Sequence, residues 1–349
     1  MGISMHAVLL VSTLKLTLGF WRIPAFPPEC ANTWVAEASG GNPFKSETSF
    51  SLYVIPAANP EKERLGKQYA FKKTLLNWDG PVPSSVDLST VTNVLDIAAG
   101  TCAWTLDLAN MPEIRKRVVA PHKDPGTTAD GVQLFACDLE TKFFPEKNIT
   151  DGLGIITFQH DVTQPFPADL HNKFDLVRIS FLFLCLTSDG WKNALRHCYE
   201  VMKPSGTLLI DEADPVMYSD MTSAPDEDAH GHDLGKCMNC TGWVGTANRI
   251  YAAFAIENGF FVDMTFRLPT LLREAGFEVL DTKRVVVPAG RSCRTLRPDL
   301  FEHGFGDFSV ENLAFIFEHL ASALLAKNKL CNQNGAIVMD SDEMMSMLE

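Results

Sequence analysis

The sequence has no dense run of lysine or arginine and is short of basic residues overall. Its 349 residues include 30 Lys and Arg against 43 Asp and Glu, which gives a formal net charge of −13. A surface with this balance repels the phosphate backbone of nucleic acids. We therefore predict that nucleic acid is not a partner.

The nine cysteines lack the regular spacing of a disulfide framework, and Cys185 and Cys198 lie inside apolar runs. This usage is typical of reduced, intracellular proteins. The apolar run from Met5 to Trp21 contains Lys15 and is shorter than the roughly 20 residues of a bilayer span. No basic region precedes it, as a signal peptide would require. We predict a cytoplasmic protein with no membrane partner, in which this run packs on the domain or stays loose. A signal or anchor is the alternative.

Neither a Walker motif nor a G-x-G-x-x-G dinucleotide fingerprint is present. Instead, the segment VLDIAAGTCAW, Val94 to Trp104, predicts a strand with an acidic residue near its end, a turn of small residues and a helix. Small residues let the backbone approach a ligand closely, and a helix N-terminus offers free N–H groups. This segment therefore predicts a nucleotide-type binding site.

Strand and helix patterns alternate along most of the chain. Continuous apolar runs joined by helices predict an α/β fold with a mostly parallel sheet and helices on both faces. The predicted strands are 93–98, 132–137, 155–159, 174–179 and 207–211, followed by two extended segments at 277–281 and 283–288. The predicted helices are 59–78, 190–203, 247–258, 268–275 and 308–325.

The same patterns divide the chain into three parts. Residues 1–50 form a poorly defined N-terminal extension, and residues 51–330 form one domain that begins with a helical extension. An acidic segment at about 213–262 interrupts its strand–helix rhythm and predicts a lid insertion. Residues 331–349 are predicted to be a disordered tail.

The segment from Val94 resembles motif I, D-x-G-x-G-x-G, of class I S-adenosylmethionine-dependent methyltransferases. Asp96 and Gly100 match it, whereas Ala98 and Cys102 stand where the motif has glycine. The resemblance implies a Rossmann-like seven-stranded sheet and S-adenosyl-L-methionine as the cofactor.

Later landmarks occur in the family's order. Asp138-Leu139 follows a predicted strand, where an acidic residue accepts from the ribose hydroxyls. Asp161-Val162 follows the next, where an acidic side chain and a backbone N–H meet the adenine. The resemblance implies a cofactor site formed by Asp96, Ala98, Gly100, Asp138, Leu139, Asp161 and Val162.

The segment from Ser51 to Tyr69 resembles the Y-x-x-P…E-x-x-R-L-x-x-Q-H opening of fungal secondary-metabolite methyltransferases, with Tyr69 in place of the histidine. This resemblance covers roughly residues 51–325. It implies methylation of a small-molecule natural product, with O-methylation favoured over N- or C-methylation. A regulatory relative that has lost catalysis is the alternative, favoured by the two missing glycines.

The sequence does not identify the residues that act on the acceptor. His160, His230, His232 and Tyr251 are candidate bases, and nothing in their spacing selects one, so the catalytic residues remain unassigned. The segment His230-x-His232…Cys237-x-x-Cys240 lacks the two-arm spacing of structural zinc sites, and we predict a mobile lid and no metal. Six aromatic residues suit either an apolar acceptor site or a core: Trp243, Tyr251, Phe254, Phe260, Phe261 and Phe266.

Overall fold

The computed structural model describes residues 5–16, 55, 59–119, 131–218, 224–226 and 229–327, with residues 5–16 described as backbone only. The strands in these ranges are Met5–Leu16 (β1), Asn93–Ile97 (β2), Gln133–Asp138 (β3), Ile155–Gln159 (β4), Phe174–Ser180 (β5), Met202–Asp214 (β6) and Phe277–Ala289 (β7). They form one sheet in the order β4-β3-β2-β5-β6-β1-β7, and their pairings are parallel. The predicted α/β class with a mostly parallel sheet is confirmed.

Helices connect and flank these strands. Thr187 shows how local sequence sets a boundary, because its hydroxyl accepts from the Gly190 N–H (3.2 Å) at the start of α5. The helices in the described ranges are Asn59–Leu75 (α1), Ala103–Asn110 (α2), Pro112–Arg115 (α3), Lys147–Gly152 (α4), Ser188–Val201 (α5), Leu234–Met238 (α6), Gly242–Asn258 (α7), Met264–Glu274 (α8), Ser292–Leu296 (α9), Pro298–Glu302 (α10) and Phe305–Ala326 (α11).

Both faces of the sheet are covered. Successive side chains of a strand point to opposite faces. Val94 of β2 therefore packs with Trp104 of α2 on one face, while its neighbour Leu95 joins the cluster of Trp191 of α5 on the other. Because both faces are buried, the strands appear in the sequence as continuous apolar runs.

The predicted segments 277–281 and 283–288 form the single strand β7, so the prediction of two segments was wrong. Thr282, at the predicted junction, pairs with Leu9 within the parallel ladder. Residues 281–282 contain no glycine or asparagine that could take the positive φ of a tight turn. The chain therefore continues in the same direction.

The seventh strand comes from the N-terminal extension. β1, part of the apolar run that begins at Met5, lies between β6 and β7 and pairs with both. Some boundaries also differ: β6 begins at Met202, before the predicted 207, and α7 begins at Gly242, before the predicted 247. The short helix α6 lies inside the predicted lid insertion.

Several predictions concern residues outside the described ranges. The gap from Asp96 to Asp138 is longer than the typical ~20 residues of a nucleotide-binding βαβ unit, which predicts an inserted loop from Met111 to Gly131. Residues 120–130 of this loop lie outside the described ranges, as do Tyr53 and Pro56 of the opening motif and the C-terminal tail at 331–349. The part of that loop that the structure describes contains the short helix α3.

One described helix, α11, is long and apolar enough to cross a membrane by length and composition alone. Its Phe317 and Leu320 are buried in a cluster with Ile250 and Phe254 of α7. In this structure α11 is therefore part of the protein core.

Asn248 of α7 fixes the chain that follows β6. Its side chain is buried; Oδ1 accepts from the Met217 N–H (2.8 Å), and Nδ2 donates to the carbonyls of Met217 (2.9 Å) and Cys237 (3.0 Å). One amide thus holds the 216–218 segment and α6 against α7.

We expect Asn248→Ala to lower the free energy of unfolding by about 2–4 kcal/mol, because it leaves buried backbone groups of Met217 without partners. Urea unfolding measures this change. Ile256→Ala is the matched control on the same helix, since Ile256 is 72% exposed. Equal unfolding midpoints for the two variants would contradict this role of Asn248.

Candidate functional site

The turn between β2 and α2 has an alternating left-handed backbone. Ala98 (φ 55°), Gly100 (φ 53°) and Cys102 (φ 56°) all have positive φ, at the three positions where the motif places glycine. A left-handed conformation costs a residue with a Cβ atom roughly 1–2 kcal/mol. The turn thus keeps the backbone shape of the motif at an energetic cost at Ala98 and Cys102, as strained turns at functional sites do.

Asp138, at the end of β3, holds this turn. Its Oδ2 accepts from the Gly100 N–H (2.8 Å) and its Oδ1 from the Glu140 N–H (2.9 Å). Burial raises the pKa of Asp138, and these two backbone hydrogen bonds oppose the rise. A carboxylate has about four acceptor positions, so two remain for a ligand.

A cavity of about 500 Å³ opens beside this turn. It lies at the carboxyl ends of the strands, where ligands bind in open α/β sheets, and its size is typical of small-molecule sites. Six of the predicted cofactor residues line it: Ala98, Gly100, Asp138, Leu139, Asp161 and Val162. The structure therefore brings together landmarks that are far apart in the sequence.

Asp96, the seventh predicted residue, does not line the cavity. It is fully buried, where Oδ1 accepts from Arg178 Nη1 (2.8 Å) and Oδ2 from the Thr105 hydroxyl (2.6 Å). Asp96 therefore supports the β2–α2 turn through its contacts with Arg178 and Thr105.

The next landmark forms a local turn on the cavity wall. Asp161 Oδ1 accepts from the backbone N–H (2.9 Å) and hydroxyl (2.7 Å) of Thr163. This carboxylate orders the segment that includes the buried Val162 and retains acceptor capacity on Oδ2.

A group of buried charges, two of which line the cavity, is absent from the predictions. Lys72 of α1 contacts both carboxylate oxygens of Asp211 at 3.0 and 2.8 Å, and Arg178 Nε lies 3.9 Å from Asp211 Oδ1. With the Arg178–Asp96 pair, this forms a chain of four buried charges in the order Lys72–Asp211–Arg178–Asp96. An arginine inside the apolar run FDLVRIS was the available signal, since buried charges are rare unless paired.

The loop after β5 forms another wall of the cavity. Phe181 has a positive φ of 57°, and its N–H donates to the Asp211 carbonyl (3.0 Å). Buried Glu212 accepts from the N–H groups of Leu182 (2.9 Å) and Phe183 (3.0 Å). Backbone strain and hydrogen bonds thus present Phe181 and Leu182 to the cavity.

Among the four candidate bases, His160 alone lines the cavity. Its Nε2 lies 3.2 Å from the Gln164 carbonyl, and burial lowers its pKa. His230 is exposed, and Tyr251 is fully buried with its hydroxyl 3.4 Å from the carbonyls of Phe261 and Val262.

His232 has a structural environment. Its buried side chain lies between the Tyr218 hydroxyl at Nδ1 and Asp214 Oδ2 at Nε2 (3.0 Å). Cys237 is buried, and Cys240 Sγ contacts the Lys236 carbonyl (3.5 Å). Within the described residues, no three His, Cys, Asp or Glu side chains are placed to hold a metal ion.

The aromatic residues of the predicted lid do not line the cavity. Tyr251, Phe254 and Phe260 are buried in the cluster between α7 and α11, and Trp243 is 36% exposed. Tyr251, Phe254 and Phe260 are therefore core residues in this structure, whereas Trp243 lies on the surface. The aromatic wall of the cavity comes from other positions: Tyr69, Trp104, Phe143 and Phe181.

Tyr69, which replaces the histidine of the fungal opening motif, connects α1 to α2. Its hydroxyl donates to Asp107 Oδ2 (2.6 Å), which also accepts from Lys73 Nζ (2.6 Å). This hydrogen bond places the Tyr69 ring on the cavity wall and engages the hydroxyl proton.

A family comparison matches most of the described domain. The model of the ubiE/COQ5 methyltransferase family matches residues 71–286. The match confirms the methyltransferase resemblance that the motifs indicate.

Methyltransferase grgD of Penicillium sp is 27% identical over 169 residues, covering 47% of this chain and 53% of the relative. The chain thus matches about half the length of this curated relative.

Two solved structures are also similar. Human N-acetylserotonin methyltransferase in complex with SAM is 16% identical (TM-score 0.35; 62% of this chain and 49% of that chain). A SAM-dependent methyltransferase from Aquifex aeolicus is 15% identical, with a TM-score of 0.33. The match covers 63% of this chain and 89% of that chain.

The strained turn makes a stability prediction. We expect Ala98→Gly to raise the free energy of unfolding by up to about 1 kcal/mol, because relief of roughly 1–2 kcal/mol of left-handed strain exceeds about 0.4–1 kcal/mol of added chain entropy. Urea unfolding of the purified variants measures it. Ala99→Gly is the matched control, since Ala99 lacks positive φ. Its free energy of unfolding should fall by about 0.5–1 kcal/mol, because glycine adds chain entropy without relieving strain. Equal losses at both positions would rule out strain at Ala98.

Proposed function

Because the chain belongs to the ubiE/COQ5 methyltransferase family, we propose that it transfers the methyl group of S-adenosylmethionine to a small-molecule acceptor. We further propose that the acceptor is a natural product methylated on oxygen. The observation that carries the proposal is the cavity at the β2–α2 turn, where six predicted cofactor residues from three strand ends meet.

The residues present fit this cofactor. The backbone of the turn at Ala98 and Gly100 leaves room for a ligand to approach, and Asp138 keeps acceptor positions for the ribose hydroxyls. In this proposal, Asp161 accepts from the adenine amino group and the backbone N–H of Val162 meets the ring. When bound, the sulfonium of the cofactor supplies a methyl group that is already activated for transfer.

The protein then has to orient the acceptor and exclude water. Phe181, Leu182 and Leu186 give the cavity an apolar wall beside the loop that Glu212 holds. An apolar wall that also includes the polar groups of Lys72 and Ser180 suits a largely apolar acceptor with a hydroxyl group. The net charge of −13 further disfavours a polyanionic acceptor such as nucleic acid.

The cofactor assignment is tested by calorimetry with S-adenosylhomocysteine. We expect Asp138→Ala to weaken binding by about 1–3 kcal/mol, because ligand hydroxyls lose their acceptor. Asp169→Ala, on an exposed turn, is the control and should bind as the unchanged protein does. Failure of the unchanged protein to bind at millimolar ligand would remove the proposed function.

Turnover separates an enzyme from a regulatory protein that kept the fold. We expect the protein to methylate at least one member of a panel of phenolic and carboxylic acceptors, with mass spectrometry detecting the added methyl group. In the source organism, deletion of the gene should make an unmethylated intermediate accumulate. Cofactor binding without turnover, together with an unchanged metabolite profile, would instead favour the regulatory function.

A further inference from the structure

Lys72 combines burial with a position on the cavity wall. It lies on α1, its side chain is 7% exposed, and it lines the cavity. Its Nζ lies 2.8 Å from Asp211 Oδ2 and 3.3 Å from the Ser180 hydroxyl. Lys72 and Ser180 both line the cavity, whereas Asp211 does not.

We propose that Lys72 is the general base that accepts the proton from the hydroxyl group of the acceptor. This proposal rests on the proposed function of methyl transfer to oxygen. It identifies the acceptor class as a hydroxyl compound whose oxygen must lose its proton to react, such as a weakly acidic phenol.

The other titratable side chains on the cavity wall have partners of their own. Arg178 is paired with Asp96, Asp161 accepts from Thr163, and Glu140 accepts from the Lys142 N–H. Asp138 accepts two backbone N–H groups, and Tyr69 donates its proton to Asp107. His160 is bonded to the Gln164 carbonyl, and its ring lies 3.9 Å from that of Phe166. Burial raises the pKa of the Cys185 thiol, which keeps it protonated.

The surroundings of Lys72 make its amine available as a base. Burial and the positive charge of Arg178 lower its pKa to about 8, against the opposing effect of Asp211. Arg178 Nε has no hydrogen-bond partner among the described residues and lies 3.9 Å from Asp211 Oδ1, so the guanidinium stays close to the carboxylate that Lys72 contacts. A base with a pKa near the working pH combines an available lone pair with useful basicity.

The step balances. The acceptor O–H bond breaks and its proton moves to the lone pair of Lys72 Nζ, which gives an ammonium ion. The acceptor oxygen forms a bond to the methyl carbon as the carbon–sulfur bond breaks, and that electron pair stays on sulfur. Asp211 and Ser180 stabilise the ammonium until it releases the proton to solvent.

The charge of the cofactor allows a test of this proposal that does not require turnover. S-adenosylmethionine carries a positive sulfonium that its product S-adenosylhomocysteine lacks. A like charge nearby disfavours the ammonium form of a lysine. The pKa of Lys72 should therefore be lower in the complex with S-adenosylmethionine than in the complex with S-adenosylhomocysteine.

Titration of the full chain with ¹³Cε-labelled lysine, followed by NMR, measures this pKa. Lys72→Arg assigns the signal, and Lys192→Met, which removes an exposed lysine, is the control that leaves the signal in place. We expect a midpoint near 8 with S-adenosylhomocysteine, as the pKa of Lys72 indicates, and a midpoint about one unit lower with S-adenosylmethionine. Midpoints above about 10, the ordinary lysine value, in both complexes would overturn the proposal.

Kinetics with phenol and 4-nitrophenol give the second test. We expect Lys72→Met to lower kcat/KM about 100-fold or more with phenol, the usual contribution of a general base. The loss with the already ionised 4-nitrophenol should be less than about 10-fold, because no proton has to be removed. Lys72→Gln repeats the test with a polar side chain, and unchanged S-adenosylhomocysteine binding shows that each variant is folded.

Equal losses with both phenols would overturn the role as a base and indicate a structural role for Lys72. If the unchanged protein binds S-adenosylhomocysteine but methylates no phenol, the proposed O-methylation of a phenol fails, and the role of Lys72 as its base fails with it. If the protein does methylate phenol, a midpoint that does not respond to the sulfonium charge overturns the assignment of Lys72 alone.

Discussion

The salt bridge between Arg178 and Asp96 is the interaction on which the site depends. It joins the middle of β5 to β2, directly below the turn that borders the cavity. Removing charges from water costs several kcal/mol each, and their mutual attraction offsets this only with good geometry and further hydrogen bonds. Thr105 provides such a bond to Asp96, and Asp211 provides a second negative charge near Arg178.

Through Asp211, the same charges fix α1 to the sheet. Lys72 completes the chain from the helix, and the Asp211 carbonyl holds the backbone of Phe181 at the start of the cavity loop. The cavity therefore has walls from α1, from the β2–α2 turn and from the loop after β5, all held by one group of buried charges. The strain at Ala98 and Cys102 persists because Asp138 and the packed ends of the strands hold the turn from both sides.

The sequence predicted the parts of the site that depend on local pattern. The strand–turn–helix at Val94–Trp104 and the acidic residues Asp138 and Asp161 each follow a short apolar run, and parallel strands bring such ends to one edge. The buried charges are not predictable in this way, because Arg178 and Asp96 are 82 residues apart. The run FDLVRIS shows that a charge needs a partner, but not which residue provides it.

The wrong prediction at residues 277–289 and the alternatives that the sequence left open have the same origin. Whether residues 277–289 turn back or continue depends on β1, which adds a parallel neighbour from the far end of the chain. Likewise, Tyr251 and Phe254 have a spacing that suits either a lid or a core, and packing against α11 decides for the core. Patterns within one segment contain no information about which segment will pack on it.

A crystal structure of the full chain with S-adenosylhomocysteine tests the central claim most directly. The account predicts the ribose hydroxyls at Asp138, the adenine beside Asp161 and Val162, and the sulfur facing the part of the cavity bordered by Lys72 and Phe181. Ligand bound elsewhere, or bound here with Lys72 separated from the sulfur by the turn, would contradict it.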